Sequence, residues 1–163
     1  MRPGALRGEL RRVGGLTLLV DCYNANPQSV RAALDTLADL EARARVAFLG
    51  SMLELGDRSA PLHQDVLHYA LDTRLERVVA TGDFARAAEA MADEAAVDEA
   101  LAGDPPRLLV RATPDEAYDV LAPTLAGDEA VLLKASRGVA LERLLPRFEA
   151  DFGAAHAAAG GEG

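Results

Sequence analysis

The sequence LTLLVDCYNANP, residues 16–27, joins a predicted buried strand to a predicted helix and indicates the fold of the chain. The apolar run from Leu16 to Val20 is typical of a strand that is covered on both faces. Beyond it, apolar residues recur at the spacing of one helical face, with Asn26 as the helix cap and Pro27 in the first turn. An acid, a phenol and two amides therefore follow a strand at its carboxyl end, where open α/β sheets bind ligands.

Apolar runs alternate with helical patterns along most of the chain. This alternation predicts an α/β fold, a Rossmann-like three-layer sandwich with a mostly parallel sheet of five to six strands and helices on both faces. The predicted strands are Leu16–Cys22, Arg45–Leu49, Arg77–Ala80, Arg107–Val110 and Ala130–Ala135. The predicted helices are Pro27–Ala42, Pro61–Thr73, Phe84–Met91 with a continuation to Leu101, Pro114–Leu121 and Val139–Phe148.

The length of 163 residues suits one domain with one ordinary core. We expect residues 10–150 to form this domain, residues 1–9 to be a residual linker and residues 151–163 to be a disordered tail that has nothing to bury. Glu9–Val13 can form an extra edge strand, because Gly14-Gly15 can join it to the next strand as a hairpin.

The composition excludes several kinds of partner. A formal net charge of −9, with 17 scattered basic residues, argues against a nucleic-acid surface. The single cysteine, Cys22, rules out an internal disulfide, and no apolar stretch approaches the roughly 20 residues of a membrane span. The first residues lack the apolar core of a signal peptide, so we expect a cytoplasmic protein.

Three polar loops follow predicted parallel strands. Parallel strands bring their carboxyl ends to one edge of a sheet, so these loops can converge on one ligand. The three loops are residues 21–27, 50–57 and 134–138.

The third loop offers two cations and a hydroxyl where a helix is predicted to begin. Lys134, Ser136 and Arg137 therefore suit a carboxylate or phosphate oxygen. Glu54, in the second loop, can recognise an amine. The alternative interpretations are a helix cap with two surface cations, a solvated glutamate, and amides of Asn24 and Asn26 that serve only the turn.

Other motifs are missing from the sequence. It contains neither a phosphate loop nor a glycine-rich dinucleotide fingerprint, and it has no serine hydrolase signature. His63 and His68 are five residues apart and do not share a helix face, so no metal site is expected. Cys22 has no basic neighbour in sequence to form its thiolate, which favours a small buried side chain over a nucleophile.

The three loops resemble the C-terminal domain of the Mur ligase family, in its D-alanyl-D-alanine-adding, MurF-type branch. The motifs are DCYNANP at 21–27, LGSMLELG at 49–56 and KASRG at 134–138. The resemblance extends over about residues 10–148. Sister Mur ligases and folylpolyglutamate synthases carry a histidine-containing version of the first loop, which makes that motif the most specific of the three.

The resemblance implies part of an ATP-dependent ligase of peptidoglycan synthesis, which joins D-alanyl-D-alanine to UDP-N-acetylmuramoyl-tripeptide. In that family the C-terminal domain closes as a lid over a central ATPase domain. ATP and Mg²⁺ would be bound mainly by that absent domain, so we expect no cofactor on this fragment. Because the fragment has no phosphate loop, we expect it to be inactive alone.

The resemblance also assigns site residues, although none is assigned a catalytic role in this fragment. The residues implied to face the nucleotide and the cleft are Asp21, Tyr23, Asn24 and Asn26. The residues implied to bind the substrate are Ser51, Glu54, Lys134, Ser136 and Arg137. The chain departs from the usual family residues at Cys22 (Ser or Asp), Ser51 (Asp) and Ala135 (Gly), and the role of Ser51 is the least secure.

Three alternatives stay open at this point. The chain can be an independent Rossmann-like module that binds a nucleotide or another small molecule. It can also be the equivalent domain of a related Mur ligase. A receiver-type domain with Asp21 as phosphoacceptor is a third hypothesis, which the absence of the further acids typical of receivers disfavours.

Overall fold

A six-stranded sheet lies between two helical layers in the computed structural model, which describes residues 8–153. The strands are β1 (Glu9–Val13), β2 (Leu16–Asp21), β3 (Arg45–Leu49), β4 (Arg77–Ala80), β5 (Leu108–Val110) and β6 (Ala130–Lys134). Their order is β1-β2-β6-β3-β4-β5, and every neighbouring pair is parallel except the β1–β2 hairpin. The predicted fold class and edge hairpin are therefore confirmed.

Helices and short helical turns connect the strands. The α-helices are α1 (Pro27–Asp39), α2 (Ser59–Asp72), α3 (Asp83–Ala90), α4 (Ala95–Leu101), α5 (Pro114–Leu121) and α6 (Leu145–Phe148). The 3₁₀ turns are Gly56–Arg58, Ala122–Thr124, Arg137–Val139 and Leu141–Leu144, and a π-turn spans Glu149–Gly153. No helix within residues 8–153 is long and apolar enough to cross a membrane.

Two predicted helices are divided in the structure, and α1 and α2 differ from the predicted Pro27–Ala42 and Pro61–Thr73 only at their ends. The continuation of α3 to Leu101 is wrong, because a turn over residues 91–94 starts a separate helix, α4. A continuous helix would turn Glu94 and Asp98 towards the core, whereas the break leaves both exposed and buries Val97 and Ala100.

The predicted helix Val139–Phe148 is also wrong as a single element. Ala140 has a φ of 58°, in the left-handed region, and this residue interrupts the segment. The chain therefore makes two 3₁₀ turns before α6 begins. Leu141, Leu144 and Phe148 are nevertheless buried, so the segment still covers one face of the sheet.

Each face of the sheet has its own apolar core. Helices α1 to α4 cover one face, and residues such as Leu34 and Leu67 pack there. Helices α5 and α6 cover the other face, where Tyr118 meets Phe148 with ring centres 4.9 Å apart. All of β6 is buried, as expected of a central parallel strand. Because the helices cover both faces of the sheet, a ligand could reach the sheet at the ends of its strands.

The domain ends differ slightly from the predicted ones. Glu9, predicted in the linker, begins β1, and residues 151–153, predicted in the tail, continue the last helical segment. Asp151 accepts a hydrogen bond of 2.7 Å from the Tyr118 hydroxyl, which ties this end to α5. The remainder of the predicted linker and tail, residues 1–7 and 154–163, lies outside the described residues.

Candidate functional site at the carboxyl edge of the sheet

The three polar loops meet at the carboxyl edge of the sheet. The Ser136 hydroxyl is central: it accepts a hydrogen bond of 2.8 Å from the Leu53 backbone N–H and donates one of 3.4 Å to the Ala25 carbonyl. The Ser136 backbone N–H donates to the carbonyl of Ser51 at 3.1 Å. One serine thus joins all three loops, which confirms that they lie together at one edge of the sheet.

A buried ion pair lies beneath this junction. Lys134 Nζ is 3.0 Å from Asp21 Oδ2, and the lysine side chain has no exposed area. The same ammonium donates a hydrogen bond of 2.6 Å to the carbonyl of Asn24. The pair therefore ties the end of β2 and the first loop to the end of β6.

Lys134 is the only lysine among the 17 basic residues of the chain. An ammonium is a compact donor, whereas a guanidinium is a broad planar fork. The space between the Asp21 carboxylate and the Asn24 carbonyl suits the compact group. This geometry accounts for a lysine at the position that is fully buried among the cations of residues 8–153, where the other Lys/Arg positions are arginines.

Ser51 also makes its contacts inside the protein. Its hydroxyl accepts a hydrogen bond of 2.8 Å from the Asp83 N–H at the start of α3. Gly82, the N-cap residue of α3, has no side chain for this purpose and has a φ of 60°. A Cβ at Gly82 would collide with the Ser51 hydroxyl, so the two positions fit each other. Asp21, Ser51, Lys134 and Ser136 are all buried, and we call them the inner tier.

Four other predicted site residues are exposed and form what we call the outer tier: Tyr23, Asn24, Glu54 and Arg137. The Arg137 guanidinium lies 5.9 Å from the centre of the Tyr23 ring, a cation–π distance. Within residues 8–153, Arg137 forms no ion pair, and the Asn24 side chain makes no hydrogen bond. These groups are available to a ligand.

Asn26 is half-buried: it makes internal hydrogen bonds as the inner tier does, and it also borders an accessible recess as the outer tier does. Its side-chain oxygen accepts a hydrogen bond of 2.8 Å from the Ser29 N–H, while the Ser29 hydroxyl accepts one from the Asn26 N–H. This reciprocal arrangement is the predicted cap of α1. Asn26 also lines an open recess of about 330 Å³ with Asn24, Gln28, Ser29 and Ala32.

Sequence reasoning missed His63 as a part of this site. His63, on α2, is fully buried, and its Nε2 accepts a hydrogen bond of 2.9 Å from the Met52 backbone N–H. Its Nδ1 lies 2.8 Å from the Ser59 carbonyl. Burial lowers the pKa of His63 and favours the neutral imidazole. The sequence signal was a histidine on the inward face of a predicted helix.

The cysteine beside Asp21 is not suited to nucleophilic chemistry. Cys22 is buried, and its thiol lies 3.6 Å from the carbonyl of Leu133. Burial, with smaller contributions from Glu142 and Asp21, raises the pKa of Cys22 to about 12. The thiol therefore stays protonated near neutral pH. Among the described residues, no group of three or more His, Cys, Asp or Glu side chains is placed to hold a metal ion.

Residues 6–137 match the protein family described as "Mur ligase, glutamate ligase domain". A relative from Treponema pallidum (strain Nichols) is 39% identical over 136 residues, which cover 80% of this chain and 27% of that protein. One from Rickettsia prowazekii (strain Madrid E) is 27% identical over 143 residues, 88% of this chain and 30% of that protein. Both are named UDP-N-acetylmuramoyl-tripeptide–D-alanyl-D-alanine ligase, and the chain spans less than a third of either.

Solved structures of MurF proteins also match this chain. A crystal structure of MurF from Acinetobacter baumannii matches with a TM-score of 0.73 at 27% identity, over 91% of this chain and 30% of that one. MurF ligase from Thermotoga maritima, solved in complex with ADP, matches with a TM-score of 0.65 at 24% identity. That match covers 93% of this chain and 32% of the other, and at this identity it supports the fold alone.

Proposed function

This chain belongs to the Mur ligase family as its glutamate ligase domain, and we propose that it is the substrate-binding lid of a larger ATP-dependent ligase. The reaction we propose for that ligase is the joining of D-alanyl-D-alanine to UDP-N-acetylmuramoyl-tripeptide, the substrates named for the relatives. Such a nucleotide-dependent step of cell-wall synthesis would place the protein in the cytoplasm.

The observation that carries this proposal is the division of the polar residues at the carboxyl edge of the sheet, which we call the rim, into the inner and outer tiers. The inner tier ties the loops together, while the outer tier presents a cation, a carboxylate, an amide and a phenol on one accessible edge. A dipeptide with a free amine and a free carboxylate needs groups of opposite charge on one surface. The outer tier offers both charges.

We assign the carboxylate of the incoming dipeptide to Arg137. Lys134 already binds Asp21 and the Asn24 carbonyl, and the Ser136 hydroxyl is engaged by two other loops. Arg137 is exposed and lies three residues after Lys134 in the same loop. Its planar guanidinium can bind a carboxylate through two parallel hydrogen bonds.

We assign the amine of the dipeptide to Glu54 and the nucleotide side of the cleft to Tyr23 and Asn24. Glu54 is exposed in the second loop, with a φ of 65° that sets its direction. In the closed enzyme these residues would orient the amine and exclude water from the reacting carboxyl group. We propose that Asp21, Ser51, Lys134 and Ser136 hold this surface in place.

The described residues do not fit ATP with Mg²⁺ by themselves. They include no cluster suited to a metal, and the sequence has no phosphate loop. We therefore assign activation of the tripeptide carboxylate to the other domains of the ligase. The isolated chain should release no phosphate from ATP in the presence of both substrates.

The proposal is tested by a chimera of the Treponema pallidum relative in which the matching segment is replaced by this chain. We expect the chimera to form the amide bond and the isolated chain to form none. Arg137→Met in the chimera should raise the KM for D-alanyl-D-alanine by about 10- to 100-fold, because a charge-assisted hydrogen bond is lost. Arg43→Met, which changes an exposed arginine paired with Asp128, is the matched control.

The alternative of an independent nucleotide-binding module gives a different result. Calorimetric titration of the isolated chain with ATP and with D-alanyl-D-alanine separates the two hypotheses. Strong ATP binding by the chain alone would favour the independent module. A folded chimera that binds the UDP-linked tripeptide but never uses the dipeptide would overturn the lid proposal.

A further inference from the structure

The backbone of the second loop is held at successive residues by different parts of the fold. The Ser51 carbonyl accepts from the Ser136 N–H, the Met52 N–H donates to His63, and the Leu53 N–H donates to the Ser136 hydroxyl. The next residue, Glu54, has a φ of 65° and an exposed side chain. The direction of Glu54 therefore depends on how the residues before it are held.

His63 is oriented by contacts on three sides. The Met52 N–H can only donate, so Nε2 must be the accepting nitrogen and Nδ1 must carry the proton, which it donates to the Ser59 carbonyl. The Phe84 ring packs edge-on against the imidazole, with ring centres 4.6 Å apart. The ring is thus fixed as the neutral tautomer with its acceptor aimed at the loop.

We propose that His63, which does not touch the outer tier itself, is the positioning residue for Glu54. As a neutral acceptor it fixes the Met52 amide and hence the course of the loop up to Glu54. The inference rests on the proposed function only for the role of Glu54 in meeting the substrate amine. The role of His63 in the loop is independent of that assignment.

This arrangement is sensitive to protonation. An imidazolium carries a proton on Nε2, which would face the proton of the Met52 N–H, so the hydrogen bond cannot form. The charged groups that act on the ring are Asp83 and Arg86 at the start of α3, with opposite effects, and burial outweighs both and lowers the pKa of His63. Acidification should therefore release the loop at a lower pH than that at which a solvent-exposed histidine becomes protonated.

The test is an NMR titration of the ¹⁵N-labelled chain from about pH 7.5 to about pH 5. We expect the Met52 and Glu54 amide signals to move together, with one midpoint below that of a solvent-exposed histidine. His63→Gln retains an acceptor near the position of Nε2 but does not titrate, so both signals should stay near their neutral positions at every pH. His63→Asn can still donate to Ser59 but is too short to reach Met52, so both signals should be displaced throughout.

His68→Gln is the matched control, because His68 lies on the same helix but is exposed and bonded to Glu94. It should leave the Met52 titration unchanged. A Met52 amide that does not titrate in the unsubstituted chain, or that keeps its position in His63→Asn, would overturn the proposal. If His63→Asn fails to fold, the unsubstituted chain and His63→Gln still decide the matter.

The effect of the His63 substitutions on use of the dipeptide is measured in the chimera. His63→Asn should raise the KM for D-alanyl-D-alanine about tenfold while kcat changes by less than about twofold, and His63→Gln should restore the KM. An unchanged KM in a working chimera would contradict the role in substrate positioning. A chimera that uses no dipeptide at all would count against the proposed function, and the NMR titration would still decide the role of His63 in the loop.

Discussion

The inner and outer tiers of the rim contain similar side chains and use them in opposite ways. Lys134 and Arg137 lie three residues apart in one loop and are both cations. Lys134 is fully buried between a carboxylate and a carbonyl, whereas Arg137 is exposed over an aromatic ring. The comparison shows that one polar loop can contain a buried cation that ties distant segments together and an exposed cation that stays accessible at the surface.

The physical reason is that exposed loops do not hold their own shape. The outer tier can keep a fixed geometry only if buried contacts hold the backbone beneath it. Ser136 and Lys134 supply such contacts between segments that are far apart in sequence. If this division is correct, substitutions in the inner tier should reduce stability, and substitutions in the outer tier should reduce function alone.

The largest effect is expected from Lys134→Met, which removes the buried ammonium 3.0 Å from the Asp21 carboxylate. We expect a loss of about 3–5 kcal/mol in the free energy of unfolding, measured by urea denaturation. Arg137→Met is the matched control in the outer tier and should change the stability by less than about 0.5 kcal/mol. Equal losses in the two variants would remove the distinction between the tiers.

A smaller loss is expected from Ser136→Ala. This change leaves the Leu53 N–H without its acceptor and should cost about 1–2 kcal/mol in the free energy of unfolding. Hydrogen exchange should accelerate at the Leu53 amide more than at the amides of β3. Unchanged exchange at Leu53 would mean that Ser136 does not hold the second loop.

Ser51→Ala should cost about 1 kcal/mol, because the hydroxyl acts as a cap for α3 from outside the helix. Thr113→Ala removes the cap of α5 and is the matched comparison, since it should cost a similar amount. In the chimera, however, only Ser51→Ala should alter the KM for the dipeptide. A change in KM from both variants would indicate a general loss of stability as its cause.

The smallest effect on stability is expected from Asn24→Ala. The Asn24 side chain is exposed, and Lys134 binds the backbone carbonyl, which the substitution retains. The melting temperature of the isolated chain should stay the same, while turnover of the chimera should fall. A drop of several degrees in the melting temperature would instead identify Asn24 as a structural loop residue.

Local patterns in the sequence were enough for most of the fold. The strands Arg45–Leu49 and Arg77–Ala80 have the predicted bounds, and Asn26 caps α1 as predicted. These features depend on residues near one another in the chain. Where the pattern failed, at residues 91–94 and at Ala140, packing of later residues against the sheet determined the break.

By itself, the sequence determined the α/β alternation and the placement of three polar loops at one edge of the sheet, because strand periodicity and helix caps are local properties. Only the tertiary structure decided which polar residues are buried partners and which are free. That sorting depends on contacts such as Lys134 with Asn24 and Leu53 with Ser136, between residues 110 and 83 positions apart. No local pattern carries the desolvation and hydrogen bonding of such distant groups, since both arise only when the folded sheet brings them together.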